Sequence, residues 1–335
     1  WGLGWRSNTE VWFAGSETSG TQTRIWAFGL NGKRRLVFRA PGSITLHDVN
    51  SRGDTLASFD RGSSHLELTT ADGVVRDLSW QYTAGLSDVS NTGVVLGELN
   101  GDNGGPNGAV VVWPIGATQP VRIAEGRGIA ISPDGAMALV FGKSATDPLQ
   151  LVPVGTGRRK TLEIGSVDRL NWGGWLPDGR IVLDVVQGGG ISKTLLVPVS
   201  GGAPAPFLPP SYRLDGARLV APDGHAVVAR AESGALSLCA LPAATCVPLA
   251  GAQASDTVAG WTADSRAVLV FNNNSSAFEL QAVDATTGRR TPWKTLRTKE
   301  PTIGSARRLV AAPNGDVVLG YDRFRADLYV IKGLR

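Results

Sequence analysis

The chain has 335 residues, 42% of them hydrophobic and 19% charged, with 43 glycines, 19 prolines and a formal net charge of +4 at pH 7. The glycine and proline load favours many short strands over long helices, and all-β closed architectures reach this length as one unit. No apolar run approaches the ~18 to 20 residues of a bilayer span, and the basic runs, no longer than Lys33-Arg34-Arg35 and Arg158-Arg159-Lys160, lack the one-faced, aromatic-interleaved concentration of a nucleic-acid binder.

The chain opens at Trp1 without a charged start or an apolar signal core. It reads as a soluble piece whose targeting information, if any, is expected outside it.

Taken in order, one short grammar recurs: Trp5-Arg-Ser-Asn-Thr9, Val49-Asn-Ser-Arg-Gly53, Val89-Ser-Asn-Thr-Gly93, Ile131-Ser-Pro-Asp-Gly135, Trp175-Leu-Pro-Asp-Gly179, Val220-Ala-Pro-Asp-Gly224, Trp261-Thr-Ala-Asp-Ser265 and Ala311-Ala-Pro-Asn-Gly315. The last positions fall at 9, 53, 93, 135, 179, 224, 265 and 315, a spacing of 40 to 50 residues. Proline presets φ, Asp or Asn bonds back to its own backbone, and glycine supplies positive φ, so each tetrapeptide predicts a tight hairpin between the first and second strands of a repeat. A second set of turns, Leu30-Asn-Gly32, Ala71-Asp-Gly73, Val199-Ser-Gly-Gly202 and Ala285-Thr-Thr-Gly288, predicts the link from third to fourth strand.

Four-stranded sheets this small cannot bury their faces alone, and a period of 40 to 50 residues is that of a propeller. The expected fold is therefore an all-β propeller of four-stranded antiparallel blades forming one domain over residues 1–335. Eight copies predict eight blades, with seven as the alternative. The last copy, ending in Asp327-Leu-Tyr-Val-Ile-Lys-Gly-Leu334, supplies three strands and leaves its outer strand to come from elsewhere or be absent.

Cys239 and Cys246 flank a Pro-Ala-Ala-Thr turn between alternating apolar residues. Two antiparallel strands there set the sulfurs across from each other, a geometry suited to a disulfide and hence to an oxidising compartment, with two free thiols as the alternative.

Superposing the copies brings out one constellation. The residue opening each copy is apolar: Trp5, Val49, Val89, Ile131, Trp175, Val220, Trp261 and Ala311. It should pack between blades, so Trp5, Trp175 and Trp261 are expected in the core, and Trp80, Trp172 and Trp293 are the tryptophans expected to be open to a partner. The residue before it is Gly4, Asp48, Asp88, Ala130, Gly174, Leu219, Gly260 or Val310. Small residues suit a crowded axis, yet two adjacent copies offer Asp48 and Asp88, with His47 beside them. Carboxylates in a dry site need a cation or a donor. These three residues are the candidate ligand site at one channel mouth, for a cation, water or ammonium group. The competing reading is that each carboxylate accepts amides of a neighbouring blade.

Other apparent motifs fail. Gly142-Lys143-Ser144 has Met137 where a phosphate loop needs glycine, Gly155-Thr-Gly157 lacks a third glycine, and no Gly-x-Ser-x-Gly occurs. His47, His65 and His225 have no metal-ligand spacing; His65 is expected near a hairpin start and His225 as a solvated strand start. Asn100 to Asn107 is rich in oxygen donors but lacks the spaced carboxylates and closing glutamate of a calcium loop. No catalytic residue and no resident cofactor is expected, a channel cation aside.

Glu10-Val-Trp-Phe13, Arg35-Leu-Val-Phe-Arg-Ala-Pro-Gly42, Thr45-Leu-His-Asp48, Arg76-Asp-Leu-Ser-Trp80, Gly104-Gly-Pro-Asn107 and the closing Asp327 to Leu334, with the Pro-Asp-Gly turns, resemble the carboxy-terminal TolB-like regions of bacterial serine/threonine protein kinases. The resemblance implies a non-catalytic ligand-sensing or protein-interaction module, with a protein or small-molecule ligand, tethered on the extracytoplasmic side through its parent polypeptide. The chain itself has no kinase glycine loop, His-Arg-Asp or Asp-Phe-Gly. A periplasmic TolB-type scaffold is the first rival, and a propeller enzyme such as a lyase or a peptidase-associated propeller is the second.

Overall fold

The computed structural model describes residues 2–16, 22–80, 84–99, 104–114, 116–142, 144, 147–272, 278–297 and 305–335. The regular elements among them are strands: β1 (Leu3–Ser7), β2 (Glu10–Gly15), β3 (Arg24–Gly29), β4 (Arg34–Arg39), β5 (Ser43–Val49), β6 (Thr55–Thr69), β7 (Val75–Asp77), β8 (Ala84–Val89), β9 (Val95–Leu99), β10 (Ala109–Trp113), β11 (Val121–Glu125), β12 (Arg127–Ile131), β13 (Met137–Phe141), β14 (Leu149–Pro153), β15 (Lys160–Leu162), β16 (Arg169–Trp175), β17 (Ile181–Gln187), β18 (Ile191–Val197), β19 (Ala205–Pro206), β20 (Tyr212–Arg213), β21 (Ala226–Ala231), β22 (Leu236–Ala240), β23 (Thr245–Pro248), β24 (Asp256–Trp261), β25 (Ala267–Asn272), β26 (Phe278–Asp284), β27 (Arg290–Leu296), β28 (Ser305–Ala311) and β29 (Val317–Ile331).

The copies fold as their turn chemistry predicts. Seven of the eight close on the same bond, the amide at the last position donating to the carbonyl three residues back: Gly53 to Asn50, Gly93 to Ser90, Gly135 to Ser132, Gly179 to Leu176, Gly224 to Ala221, Ser265 to Thr262 and Gly315 to Ala312. Six of these positions are glycines with φ of 75° to 91°, and Ser265 adopts φ 59°. Hydroxyls at the first turn position finish the cap, as Ser132 Oγ accepting the Met137 amide at 2.9 Å and Thr262 Oγ1 accepting that of Ala267 at 3.0 Å.

The described strands form seven antiparallel sheets, six of four strands and one of five. Eight blades are not found, and seven is the count of the alternative. The physical reason lies in β6 and β29, each fifteen residues long. The copies ending at Gly53 and Gly315 share these two strands, so two hairpins feed one sheet in the order β28-β29-β6-β5, with β7 beside β6.

The chain divides into two compact units, Trp1–Ser63 with Asp322–Arg335, and Ser64–Tyr321. In the first, Trp12, Ile25, Ile44, Leu46 and Ala57 make the core, and Phe59 meets Tyr329 edge to face at 5.2 Å. Its Leu334 amide donates to Gly53 O at 3.1 Å, binding the carboxy-terminal end to the β5–β6 turn.

The second unit holds the site. Its first sheet takes inner strands β28 and the start of β29 from the carboxy-terminal side and its outer strands, the end of β6 and β7, from the amino-terminal side. The inner strands then follow one another as neighbours: β28 against β8, β8 against β12, β12 against β16, and β24 against β28. Trp172 Nε1 donates to Gly216 O at 2.9 Å, and the Ala217 amide donates to Val258 O at 3.0 Å. Those bonds tie β16 and β24 to the segment between them, and the six inner segments close on themselves. The core is accordingly a series of layers between sheets, such as Leu139, Leu149, Leu170 and Leu183, or Val227, Val258, Trp261 and Val268. Each fully buried side chain of this size contributes about 1.5 to 3 kcal/mol, so stacking replaces the single core that no one sheet could build.

Candidate functional site

A β-bulge recurs on the inner strands of the second unit. The register of β8 shifts between Leu86 and Asp88, that of β12 between Gly128 and Ala130, and that of β24 between Val258 and Gly260. A bulge sets two residues against one and re-aims the next side chain. After it stand Asp88, Ala130 and Gly260, all close to the neighbouring inner strand. A Cβ on Gly260 would lie 2.4 Å from Ala311 O, so that position needs glycine.

Asp88 answers the same crowding differently. Its Oδ2 accepts the Ile131 amide on β12 at 3.1 Å and its Oδ1 accepts the Val89 amide at 2.8 Å. The residue is 9% exposed. Burial raises its pKa above the ordinary carboxylate range, against the opposing pull of Arg218, the two amides and Arg308.

Arg218 lies between β20 and β21 with φ 46°, in the left-handed region that costs a non-glycine residue about 1 to 2 kcal/mol. Its guanidinium donates to Val89 O and Asn91 Oδ1 and stands 3.8 Å from Asp88 Oδ1. The fifth sheet thus reaches the second, three places away in the cycle, across the centre. Arg308, on β28, interacts with Asp88, Glu98 and Asp215, with Arg127 repelling it. Burial also raises the pKa of Glu98, although Arg127, Arg308, the Gly128 amide and Ser87 favour its charged form.

Asp88, Arg218 and Arg308 line a cavity of about 40 Å³ together with Ile131, Trp175 and Val220. Arg308 Nε and Trp175 Nε1 are both buried and lack a hydrogen-bond partner. Buried donors without acceptors are rare because each costs about 1 to 3 kcal/mol. Two of the six such atoms among the described residues belong to residues that line this one cavity.

Of the residues singled out by sequence, Asp88 lies at this cavity. His47 and Asp48 lie in the first unit, on β5, and both are exposed. Asp48 follows the same kind of bulge and accepts the Val49 amide at 2.8 Å, and His47 Nε2 is 3.0 Å from Ser58 Oγ. Among the described residues, no three His, Cys, Asp or Glu side chains gather as metal ligands. Cys239 and Cys246 face each other on β22 and β23 and are disulfide-bonded. Residues 100–103 of the oxygen-rich loop lie outside the described residues.

Three sequence assignments need correction. Trp5 is 54% exposed, whereas Trp172 is 7% exposed and packs in the layer of Trp261 and Leu219. Trp172 occupies the position three residues before the opening residue, which is buried on β8 and β24 as well, at Leu86 and Val258, and Trp5 lies on β1, whose register shifts between Trp5 and Ser7. His65 is buried within the long β6, stacked on Tyr321 with ring centroids 5.2 Å apart, rather than at a hairpin start.

Arg218 and Arg308 stand one and two residues before the position at which Asp88 stands out. The next positions up the inner strand are Leu3, His47, Ser87, Ile129, Gly173, Arg218, Ala259 and Leu309, then Gly2, Leu46, Leu86, Gly128, Trp172, Ala217, Val258 and Arg308. Each arginine stands out there against small and apolar residues.

A larger cleft of about 770 Å³ beside β11 and β14 is polar, but its groups are spent on one another. Glu125 receives Arg122 and Asn107, Asp147 accepts the Ser144 amide, and Arg159 donates to Ile123 O.

No family model matches the sequence, and no curated protein is similar to it in sequence. Solved structures do match. A protein assigned as TolB in Agrobacterium tumefaciens is 16% identical with a TM-score of 0.56, covering 79% of this chain and 99% of that one. The nidogen/laminin complex gives 11% identity and a TM-score of 0.52, covering 71% of this chain and 95% of that one. Such identities speak for architecture alone. The disulfide and this architecture are compatible with an extracytoplasmic location, and by structural similarity the chain has a TolB-like β-propeller fold.

Proposed function

We propose that the chain is a non-catalytic binding propeller that takes a protein or small-molecule ligand at the central cavity of its second unit. The observation that carries this reading is the pair of orphaned donors, Arg308 Nε and Trp175 Nε1, beside the buried Asp88 and Arg218. The groups converging there are guanidiniums and amide-bonded carboxyls, suited to holding a ligand. The finer reading is the sensor region of a bacterial receptor-type serine/threonine kinase, supported by the sequence resemblance of the Leu-Ser-Trp80 segment and the chain's ending. His47 and Asp48, in the first unit, are proposed with Asp88 as ligand residues for a cation or ammonium group.

A thermal-shift screen of peptides, sugars and metabolites tests the binding reading. Hits whose stabilisation is lost on Trp175→Ala support it; turnover of a hit, or hits indifferent to that substitution, count against it. The finer reading is decided by the full-length gene product: kinase motifs and a membrane span before Trp1 support the sensor, and a cleavable signal there supports the periplasmic scaffold instead.

A further inference from the structure

We propose that the ligand group held in the central cavity of the second unit is a carboxylate, anchored by Arg308 and Arg218 and completed by the indole of Trp175. This deepens the binding reading above and rests on it.

The sign of the ligand follows from which groups lack partners. Both orphaned atoms, Arg308 Nε and Trp175 Nε1, are donors. The carboxylate of the lining, Asp88, already takes one amide on each oxygen, and Glu98, outside the lining, takes the Gly128 amide and the Ser87 hydroxyl. A cation entering this cavity would meet two guanidiniums and one carboxylate whose oxygens are both engaged. An anion meets the reverse, two positive groups, with the unpartnered Arg308 Nε and Trp175 Nε1 belonging to residues of its wall. Guanidinium and carboxylate match in geometry as well as charge.

Size narrows the class. An enclosed water needs about 10 to 15 Å³ by the same measure, so about 40 Å³ holds about three. Three heavy atoms are the carbon and oxygens of one carboxylate. A whole sugar ring or side chain does not fit, so the rest of the ligand stays outside and only its acid group enters.

Two sources supply such a group: the carboxyl terminus of a peptide, or a small organic acid such as a uronic sugar. Calorimetric titration of the whole chain with acetyl-glycyl-glycine against its terminal amide, and with glucuronate against glucose, separates them. One acid should bind in the low millimolar range or tighter while its neutral mate binds at least tenfold more weakly. Arg308→Gln should weaken that acid at least tenfold, as expected for loss of a charge-assisted hydrogen bond, with Arg308→Lys recovering part of it and Trp175→Phe costing severalfold. Circular dichroism checks each variant, and if Arg308→Gln does not fold, Arg308→Lys and Trp175→Phe decide. Equal affinity for acid and neutral mate, no acid binding, or unchanged affinity in the folded variants overturns the proposal. A ligand that is lost on Trp175→Ala yet ignores Arg308→Gln overturns the carboxylate alone and leaves the binding reading standing.

Discussion

Replacing Asp88 by alanine removes a side chain that joins β8 to β12. The Val89 and Ile131 amides then lose their acceptor in a place shielded from bulk solvent. An unsatisfied buried donor costs about 1 to 3 kcal/mol, so two cost about 2 to 6, and relief from burying a carboxylate returns part of it. The expected loss is about 2 to 4 kcal/mol, read as a lower urea midpoint at unchanged slope by tryptophan fluorescence. The pH dependence follows from the raised pKa. Protonated Asp88 contributes stability that is fully present below its ordinary value of 3.8 and is lost as pH rises through the higher folded-state value. The alanine variant lacks that contribution, so its deficit is largest at the acid end and shrinks toward neutral pH. Glu98 shifts in the same direction but is common to both proteins and drops out of the difference. A deficit below about 0.5 kcal/mol, the scatter of ordinary surface changes, or one that grows with pH, would refute the reasoning.

Arg218 holds a left-handed backbone, so Arg218→Gly should be more stable than Arg218→Ala by about 1 kcal/mol in parallel urea titrations; equal midpoints would show that the strain is not there. Gly260→Ala drives a methyl group to 2.4 Å from Ala311 O and has only backbone to push against. It should lower stability by about 1 to 3 kcal/mol, and a neutral result in thermal unfolding would mean that β24 and β28 are farther apart. Opening the Cys239–Cys246 bond, with seven residues of sequence separation, should cost up to about 2.5 kcal/mol on the chain-entropy model; comparing the native protein with Cys239→Ser/Cys246→Ser checks it.

The repeat was legible because its signal is local. Proline, Asp or Asn, and glycine at fixed offsets determine a turn whatever surrounds it, and the predicted hairpins and secondary turns are where that chemistry placed them. Sheet number was not legible, because it depends on how far a strand continues. Gly62-Ser63-Ser64 carries turn chemistry yet runs extended through the middle of β6, where pairing with β29 outweighs local preference. The tryptophans fail for a related reason. The bulges on β1 and β16 lie at other offsets from the turn than those on β8, β12 and β24, and nothing in Trp5-Arg-Ser7 or Leu170-Asn-Trp172 marks where they fall.

The candidate site was half legible: Asp88 stood out where the repeat expects a small residue, and Arg218 and Arg308 would have done so one and two residues farther on. The structure explains why such departures matter here. At Gly260 the inner strands approach with no side chain at all, so the fold has a cheaper solution to crowding at its axis than a buried carboxyl. Nor does closing the cycle require an arginine at φ 46° or a guanidinium whose Nε has no acceptor. Each of these costs about 1 to 3 kcal/mol. Sequences that specify one structure agree with themselves at every level except where a site demands otherwise. Asp88 and Arg218 are repaid in part by the bonds they make between inner strands, whereas the unpartnered Arg308 Nε and Trp175 Nε1 at one cavity of about 40 Å³ are what the proposed acid group would account for.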